Sequence, residues 1–594
     1  MWLLVFSPGI IMGIYVRQNA VDVLCFDDWE NVPLLKKWHD GTWTFADFWS
    51  LQIQHRPVIP RVIVIALAFL GDGDNRWPQY FSFGLSVLIS VLFVQLLRRT
   101  IGPSSRWLKP LAFTGNCLIF SPILFQNFFW STLFWMSMPV PFMIAVLLVL
   151  HARWGLAVRF IAALLLAAAA TFSFTHGLVI WPVLGCYLLL QPEIGVMKVR
   201  AGLAALTAMA ACVVFAAYFH DFRNQATHAY ELEAGDSALK GMVNLSNGDH
   251  VSRVIRSAAG LVGNGIARSA FDGPQLVRRA EQAGSIILIG AAWCGLVCVF
   301  SAAGRATWRR TLPWLALAAY GAGMALAVAI GRAHLGEHRC TIPRYFVGTM
   351  FVTIAVMVTS FILLREAIRR SSQPACWNQR AHLFGLGALV AFVSFQWPLW
   401  QYGLHLAGVW NNARHQAKAL LMFINYPELM PWSINSLDNS DAFTREQVRT
   451  LADLGLLRVQ LATSPTVDDF KKTTTLTVGR ADSDSIERHG DEWIIRGHAR
   501  FGPERPADMV LITAEDQRTV IALGVPRARP LLRLYSVDYE FANVLDVPVE
   551  ETTLWEARIP TARLPQATKS LYLWALDSKN RRVAPFQRKI PINR

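Results

Sequence analysis

Charged residues are scarce in this sequence. Only 16% of the 594 residues are charged and 53% are hydrophobic, whereas an average soluble domain has about a quarter charged residues. The net charge is +15, but the excess Lys and Arg residues lie in short clusters between apolar runs, where basic residues fix membrane topology. This composition excludes an ordinary soluble globular protein and argues against nucleic-acid binding.

Cysteine patterns and internal repeats are missing as well. The eight cysteines show no spacing typical of a zinc site or of a disulfide framework, and none follows Cys376. The sequence contains no repeat, heptad array or low-complexity tract. The first apolar run, residues 2–16, has no basic segment before it and no small-residue cleavage motif after it. We therefore expect a retained first span and not a removed signal peptide.

Apolar runs fill the chain as far as about residue 410 and then become rare. Inside a bilayer each run must be helical, since no other open structure satisfies its own backbone groups. The sequence predicts a polytopic α-helical membrane domain over residues 1–410, with about 11–13 transmembrane helices, and an extracytoplasmic domain over residues 411–594. The apolar runs lie near residues 2–16, 57–71, 80–97, 108–125, 132–150, 156–174, 177–190, 201–219, 284–303, 312–331, 346–364 and 382–409.

Clusters of basic residues orient these helices, because loops rich in Lys and Arg are cytoplasmic. From residue 98 onwards the clusters alternate with far-side loops, which include the long loop 220–283, and they place the C-terminal domain outside the cytoplasm. The front of the chain fits less well, since a far-side loop at 17–57 and a cytoplasmic Arg98 require an odd number of crossings, and two apolar runs lie between them. Either the run 57–71 does not cross fully or another run is miscounted. The basic clusters lie at residues 98–109, 153–159, 198–200, 305–310 and 365–380.

The C-terminal part has a different pattern, with short alternating runs separated by turn residues. Residues 492–496, 509–513, 519–523 and 570–574 predict strands of a mostly-β, sandwich-like domain. Before them, residues 444–447 form a capping box that predicts a helix to about Leu457. The domain has no carboxylate pair or nucleophile motif, so both binding of an acceptor glycan and capping of the membrane domain remain open.

An acidic group lies in the first far-side loop. Asp27, Asp28 and Glu30 place three carboxylates within four residues, about ten residues after the first apolar run. Crowded carboxylates repel one another, so at least one should have a raised pKa or bind a cation. A raised pKa suits a general base. The alternative is a solvated acidic loop whose neighbouring tryptophans anchor it at the membrane interface.

Basic residues lie at the far-side ends of the helices, where the topology rule does not favour them. Such residues can bind an anion, and phosphate is the obvious candidate. For the arginine at the end of the first loop, Arg56, snorkelling or an ion pair with the acidic loop is equally open. A metal site at His334 and His338 is disfavoured by the Gly and surplus Arg residues of their loop. His176, at a helix junction, can line the same cavity, although a lone His there is more often only an interfacial residue. The basic candidates are His55 and Arg56 in the first loop, and Arg332, His338, Arg339 and Arg344 followed by Tyr345 in the late loop.

Together these motifs resemble the GT-C class of membrane glycosyltransferases, which includes the protein O-mannosyltransferases, the aminoarabinose lipid A transferases and many uncharacterised bacterial relatives. The resemblance covers about residues 1–410. The mannosyltransferases have Asp-Glu where this chain has Asp-Asp. The matching positions are Asp27 and Asp28, His55 and Arg56, the stretch 174–177 with Trp181 and Pro182, and Arg344 with Tyr345.

The resemblance implies transfer of a glycosyl group from a polyprenyl-phosphate sugar to an extracytoplasmic acceptor, usually with inversion. The acceptor would be a cell-envelope glycan, a lipid or a protein, and the location a bacterial inner membrane. Asp27 would then deprotonate the acceptor hydroxyl with Asp28 in support, while Arg56, Arg339 and Arg344 would bind the lipid-linked phosphate. Metal use varies within the class, so a divalent cation such as Mg²⁺ or Mn²⁺ at the acidic group is one alternative and no cofactor is the other.

Two other functions fit the same composition. A transporter or flippase for a lipid-linked glycan shares the helices and the phosphate-binding arginines, but transporters tend to have internal repeats and ionisable residues near the bilayer midplane. The ionisable residues of this chain lie at helix ends and in loops, which favours interfacial chemistry. A membrane scaffold for envelope assembly is the third reading, and loss of Asp27 would then have no effect.

Overall fold

The computed structural model divides the chain into two compact units. The membrane unit consists of Met1–Gln18, Thr44–Val64 and Pro78–Ala407, and the C-terminal unit of Asn19–Trp43, Ile65–Trp77 and Gly408–Arg594. The domain boundary predicted at residue 410 stays a prediction. The described residues are 2–52, 55–222, 248–267, 273–332, 340–371, 374–429, 441–472, 483–501, 505–526, 553–586 and 589–592.

Helices account for most of the described chain before residue 430. Eight are long and apolar enough to cross a membrane, judged by length and composition over the described residues, and three shorter apolar helices accompany them. The predicted polytopic helical class is thereby confirmed. The helices are α1 Trp2–Asn19, α2 Val32–His39, α3 Phe45–Trp49, α4 Val58–Leu70, α5 Arg76–Ile101, α6 Leu108–Ile119, α7 Phe125–Phe129, α8 Phe134–Ser137, α9 Pro139–Leu150, α10 Leu156–Thr171, α11 Ile180–Leu190, α12 Met197–Phe219, α13 Gly248–Ala267, α14 Gly273–Phe300, α15 Ala302–Arg332, α16 Phe346–Arg370, α17 Pro374–Met422 and α18 Asp441–Asp453.

Helix α13 lies within the stretch predicted as a far-side loop, and it packs antiparallel along α14. Small residues allow this close approach: a Cβ added at Gly263 would lie 2.1 Å from the carbonyl oxygen of Ala280, and one at Gly284 would lie 1.7 Å from that of Ala259. Glycine-lined contacts of this kind let helix backbones meet closely in membranes. The asparagine side chain of Asn264 donates to the carbonyl of Ile342 at 2.9 Å, so α13 also supports the loop that precedes α16.

Arginines of the predicted cytoplasmic clusters bind the C-terminal ends of helices. Arg99 donates to the carbonyl of Leu148 at 2.6 Å and Arg200 to that of Leu189 at 2.9 Å, near the ends of α9 and α11. The last four carbonyls of a helix have no partner within it, and the negative end of its dipole favours a cation. The positive clusters on this side therefore complete helix ends.

The C-terminal unit contains a nine-stranded sheet with the order β1-β10-β9-β6-β7-β8-β3-β2 and with β11 paired to β9, while β4 and β5 form a separate pair. Strands β1 and β10 run parallel and the other described pairs run antiparallel. The strands are β1 Lys471–Lys472, β2 Ser483–His489, β3 Glu492–His498, β4 Arg500–Phe501, β5 Arg505–Pro506, β6 Met509–Thr513, β7 Val520–Pro526, β8 Leu554–Pro560, β9 Ser570–Asp577, β10 Arg582–Pro585 and β11 Ile590–Pro591.

Alternating side chains from both halves of the sheet share one apolar core. Trp493 and Ile495 of β3 lie in the same buried cluster as Leu571 and Leu573 of β9, because residues two apart in a strand point to the same face. The sheet therefore has the sandwich-like character expected from the sequence. All four predicted strands coincide with observed ones, and the predicted helix is observed as α18, which starts earlier and ends earlier than expected.

Candidate functional site

Three basic side chains from distant parts of the chain lie within electrostatic range of His55 in the membrane unit. His55 precedes α4, His176 lies in the short 3-10 helix Thr175–Val179, Arg332 ends α15, and Arg344 lies in the short 3-10 helix Pro343–Tyr345. Burial, followed by the proximity of the titratable groups of Arg332, His176 and Arg344, lowers the pKa of His55 to about 3. His55 is therefore neutral at ordinary pH, in a region that the two arginines make positive.

Hydrogen bonds fix the His55 imidazole. Its Nδ1 atom is hydrogen-bonded to the hydroxyl of Thr175, which also contacts the Tyr218 hydroxyl at 2.8 Å. The Phe174 ring stacks on the imidazole with centroids 3.9 Å apart. Among the described residues none is hydrogen-bonded to Nε2, so this second ring nitrogen is the one that can meet a substrate.

His176 is held more completely than His55. It is 2% exposed, its Nε2 atom donates to the carbonyl of Met136 at 2.9 Å, and its Nδ1 atom then accepts from the hydroxyl of Tyr320 at 2.9 Å. A carbonyl accepts only, so this bonding sets the tautomer. Both ring nitrogens are occupied, which favours a positioning role over direct binding, and the predicted substrate contact of His176 stays a prediction.

Aromatic rings surround the guanidinium group of Arg344. Its central carbon lies 5.3 Å from the ring centroid of Trp130 and 5.5 Å from that of the buried Tyr345. Cation–π contacts of this kind hold a guanidinium plane in place while its edge can still bind a planar anion. Among the described residues, no carboxylate forms an ion pair with Arg332. The arrangement suits an anionic ligand.

The guanidinium group of Arg56 is bonded to backbone carbonyls. The side chain is fully buried, and its guanidinium group donates to the carbonyls of Tyr218 at 2.5 Å, of Trp49 at 2.6 Å and of His220. Arg61 similarly donates to carbonyls of the first loop. These bonds hold the loop against the end of α12. They do not favour the predicted binding of phosphate by Arg56, which stays a prediction.

The remaining basic candidates of the late loop, His338 and Arg339, lie outside the described residues, as does His334.

The acidic group belongs to the C-terminal unit. Asp28 is 3% exposed, and its carboxylate accepts the backbone N–H of Cys25 at 3.1 Å, which caps the 3-10 helix Phe26–Asn31. Asp27 is half-buried and Glu30 is exposed. The backbone of Phe26, directly before Asp27, is left-handed with φ +53°. A large non-glycine side chain in this conformation indicates strain, which tends to occur at functional sites.

Arg414 holds the irregular segment that leads into this acidic loop. Its guanidinium is fully buried and donates to the carbonyls of Val21 at 3.0 Å and Val23 at 2.6 Å. The Trp410 ring, one turn earlier in α17, lies 6.1 Å from the Phe26 ring. These contacts of Arg414 and Trp410 could not be predicted from the sequence, because Arg414 lies among the polar residues just after the last apolar run.

The acidic group is also the predicted place for a metal ion. Among the described residues, no three or more His, Cys, Asp or Glu side chains are grouped so that they could hold a metal ion. The carboxylate of Asp28 is already committed to the backbone of Cys25. A divalent cation held jointly by Asp27, Asp28 and Glu30 stays a prediction.

The predicted residues thus fall into two groups, one in each unit. The structure brings His176, Arg332 and Arg344 near His55, whereas the described hydrogen bonds of Arg56 go to backbone carbonyls. Sequence reasoning missed the supporting residues Thr175, Tyr218, Trp130 and Arg414. Only Thr175, adjacent to His176, lay in a motif that the sequence had singled out.

No family model matches the sequence, and no curated protein matches it. Among solved structures the chain is similar to the archaeal oligosaccharyltransferase AglB from Archaeoglobus fulgidus, in complex with an inhibitory peptide and a dolichol-phosphate, with 11% identity and a TM-score of 0.39. The match covers 76% of this chain and spans 60% of the AglB chain. The function of this chain has to be argued from its own side chains.

Proposed function

We propose that this protein transfers a glycosyl group from a polyprenyl-phosphate-linked sugar to an acceptor hydroxyl on the extracytoplasmic side of the membrane. The observation that carries this proposal is the grouping of Arg332 and Arg344 around the neutral His55. Two arginines with a hydrogen-bonding imidazole suit a phosphate group. Their place at the ends of helices in a multi-pass membrane protein suits a phosphate attached to a lipid.

Arg344 and Arg332 would stabilise the departing lipid phosphate. When the bond between the anomeric carbon and the phosphate oxygen breaks, negative charge accumulates on that oxygen, and fixed cations lower the energy of this transition state. Arg344 is suited to the task because Trp130 and Tyr345 hold its guanidinium plane. His55, kept neutral, would donate or accept a hydrogen bond through Nε2.

Asp27 would act as the general base. It is half-buried, whereas Asp28 is committed to the backbone and supports the loop. Asp27 takes the proton of the acceptor hydroxyl, the resulting oxygen attacks the anomeric carbon from the face opposite the phosphate, and the lipid phosphate leaves, which inverts the configuration. The acceptor would be a cell-envelope glycan, a lipid or a protein, and the protein would reside in a bacterial inner membrane with its C-terminal unit in the periplasm.

The test is sugar release from a panel of polyprenyl-phosphate sugars by the purified protein in nanodiscs. We expect one donor to be consumed, and we expect Asp27→Asn to lower the rate at least about a hundredfold while it still binds the donor, as is typical when a general base is removed. Glu30→Gln is the matched control, since Glu30 is an exposed acid in the same turn. Addition of a chelator in parallel shows whether a divalent cation is required.

Two results would overturn the proposal. If the wild type consumes no donor and Asp27→Asn behaves like the wild type in cells, the protein is not a transferase of this kind. If the protein binds a lipid-linked sugar and moves it across a bilayer without cleaving it, the transporter alternative is correct. In that second case Arg344→Ala would still weaken lipid binding, and Asp27→Asn would leave transport unchanged.

A further inference from the structure

Buried polar side chains without partners mark the 126–135 segment, which links α6 to α9 in the membrane unit. Gln126, Asn127 and Trp135 are each at least 96% buried. Within the part of the chain that the structure describes, the Gln126 Oε1 atom, both polar atoms of the Asn127 amide and the Trp135 Nε1 atom have no hydrogen-bond partner. Burying a polar group without a partner is energetically unfavourable. Native proteins keep few such groups, and ordered water or a bound ligand is the usual explanation.

The backbone of this segment is fixed at both ends. The Ser82 hydroxyl donates to the carbonyl of Asn127, and His176 donates to the carbonyl of Met136, the residue directly after the segment. The unpaired amide and indole groups are therefore held in place and are not consequences of a loose loop.

The same segment contributes to the candidate site. The Trp130 ring lies beneath the guanidinium group of Arg344, and α7 packs against the short 3-10 helix Pro343–Tyr345. The unpaired amides of Gln126 and Asn127 thus lie on the helix that adjoins the proposed phosphate-binding arginine.

The types of unpaired group indicate the ligand. A carboxamide both donates and accepts hydrogen bonds, and an indole N–H donates. A partner must therefore offer both acceptors and donors, which hydroxyl groups do and a lipid tail does not. The arginines already provide binding partners for a charged group, whereas amides and aromatic rings together suit a neutral polyol.

We propose that the 126–135 segment binds the sugar ring of the lipid-linked donor next to the phosphate held by Arg344, with Gln126, Asn127 and Trp135 hydrogen-bonded to its hydroxyl groups. This inference rests on the proposed function and adds where the sugar itself is recognised. Selectivity among donors then resides in this segment, while affinity for the lipid phosphate resides in the arginines.

The test compares two ligands on Asn127→Leu, a substitution of similar size that removes the amide. We expect the Kd for the polyprenyl-phosphate sugar that the wild type consumes to rise at least about tenfold, as expected for one or two lost hydrogen bonds. The Kd for polyprenyl phosphate without sugar should stay within about twofold. Thr359→Val, which removes another buried hydroxyl without a partner, in α16, should change neither value.

Each outcome is decisive. If Asn127→Leu binds the sugar donor as the wild type does, the amide holds only ordered water and the inference fails, although the proposed function stands. If the wild type binds neither lipid, the proposed function fails and the sugar site with it. Should Asn127→Leu not fold, Gln126→Met and Trp135→Phe take its place, and an unchanged preference for the sugar-bearing lipid in both would overturn the inference.

Discussion

Arg56 and Arg344 are both arginines of the predicted far side, and they differ in what they contact. Arg56 is fully buried and bonded to three backbone carbonyls. Arg344 is half-buried and lies against the faces of aromatic rings. The sequence alone weighted them equally, because both are basic residues beside an apolar run. The two arginines differ because different parts of the chain lie next to each of them in the fold. A local sequence pattern carries no information about those neighbours.

This difference gives opposite effects of substitution. Arg56→Gln should lower the Tm markedly, since three buried carbonyls lose a charged donor, at a cost of about 2–5 kcal/mol. Arg344→Gln should leave the Tm nearly unchanged and raise the Kd for polyprenyl phosphate at least about tenfold. Thermal unfolding in nanodiscs and a lipid-binding assay check both. A large loss of Tm in Arg344→Gln would show that it, too, is mainly structural.

The lowered pKa of His55 predicts a pH dependence of stability. The folded protein keeps His55 neutral down to about pH 3, whereas the unfolded chain protonates it near its ordinary pKa of about 6.5. Between these values the unfolded state binds more protons, so stability falls as the pH decreases from about 6.5 towards 3. His55→Phe retains an aromatic ring against Phe174 and should reduce the loss of Tm between pH 7 and pH 5. An equal loss in both proteins would contradict this reading.

Helix α4 is too short to cross a bilayer. Its 13 residues span about 20 Å at 1.5 Å per residue, against a hydrocarbon core of about 30 Å. Arg56, just before α4, binds carbonyls at the end of α12, and Asn75, soon after α4, binds Asp22 and Val23 of the first loop. Both partners belong to predicted far-side segments. This favours the first of the two explanations for the parity problem, in which the run 57–71 does not cross.

Cysteine labelling tests this topology. In a variant whose eight native cysteines are replaced, single cysteines at the exposed positions Gly41, Asp72 and Ser104 would be reacted with a membrane-impermeant maleimide. We expect labelling at 41 and 72 from the same side of the membrane and labelling at 104 from the opposite side. If residue 72 is instead labelled together with residue 104, then α4 crosses.

The contact of α13 with α14 makes a second test at the level of helices. Gly284→Ala would place a Cβ 1.7 Å from a backbone oxygen of α13. At Gly295, further along the same helix, an added Cβ would have no neighbour within 4 Å among the described residues outside its own helix backbone. Gly284→Ala should therefore lower the Tm, and Gly295→Ala should leave it unchanged or raise it slightly through helix propensity. Similar Tm values for the two variants would show that the helices separate easily.

Strands were easier to predict than this helix. The strand at 509–513 is a short run of apolar and β-branched residues, and all five of its residues are buried in the sheet domain. Helix α13 carries Arg253 and Arg256 among its apolar residues, so its sequence is typical of a loop or a surface helix. The position of α13 follows from the small residues at its contact with the neighbouring helix, which a local sequence pattern does not reveal.

At the scale of the molecule, two pairs of described arginines on opposite predicted sides of the membrane have different surroundings. Those of the predicted cytoplasmic clusters bind helix ends, as Arg99 and Arg200 do, whereas Arg332 and Arg344 face the region of His55. The net charge of +15 is therefore largely a matter of topology and helix capping. Only a small part of it is available for a ligand.

Paired double variants test this division. Arg332→Gln with Arg344→Gln should raise the Kd for polyprenyl phosphate by at least about a hundredfold and leave the Tm almost unchanged, because these residues are placed to meet the phosphate. Arg99→Gln with Arg200→Gln should lower the Tm and leave that Kd unchanged, because helix ends lose their partners. If both pairs weaken lipid binding equally, the binding is a general effect of positive charge.

The sequence was sufficient for the membrane class and for the candidate residues one by one, because long apolar runs and clusters of charge are local. It was not sufficient for their grouping. His55 and Arg344 lie 289 positions apart in the chain, and the acidic loop depends on Arg414, which follows it by almost 390 residues. Such pairings follow only from the three-dimensional arrangement of the helices.

Phe26 combines two requirements that no single residue meets well. Its left-handed backbone favours glycine or asparagine, while its buried ring beside Trp410 favours an aromatic residue. Under selection for stability alone, glycine would relieve the backbone and leave a void, and any β-branched residue would be excluded. A laboratory selection for stability, followed by a selection for glycosyl transfer, would thus show which requirement at position 26 matters more for activity, the left-handed backbone or the buried ring.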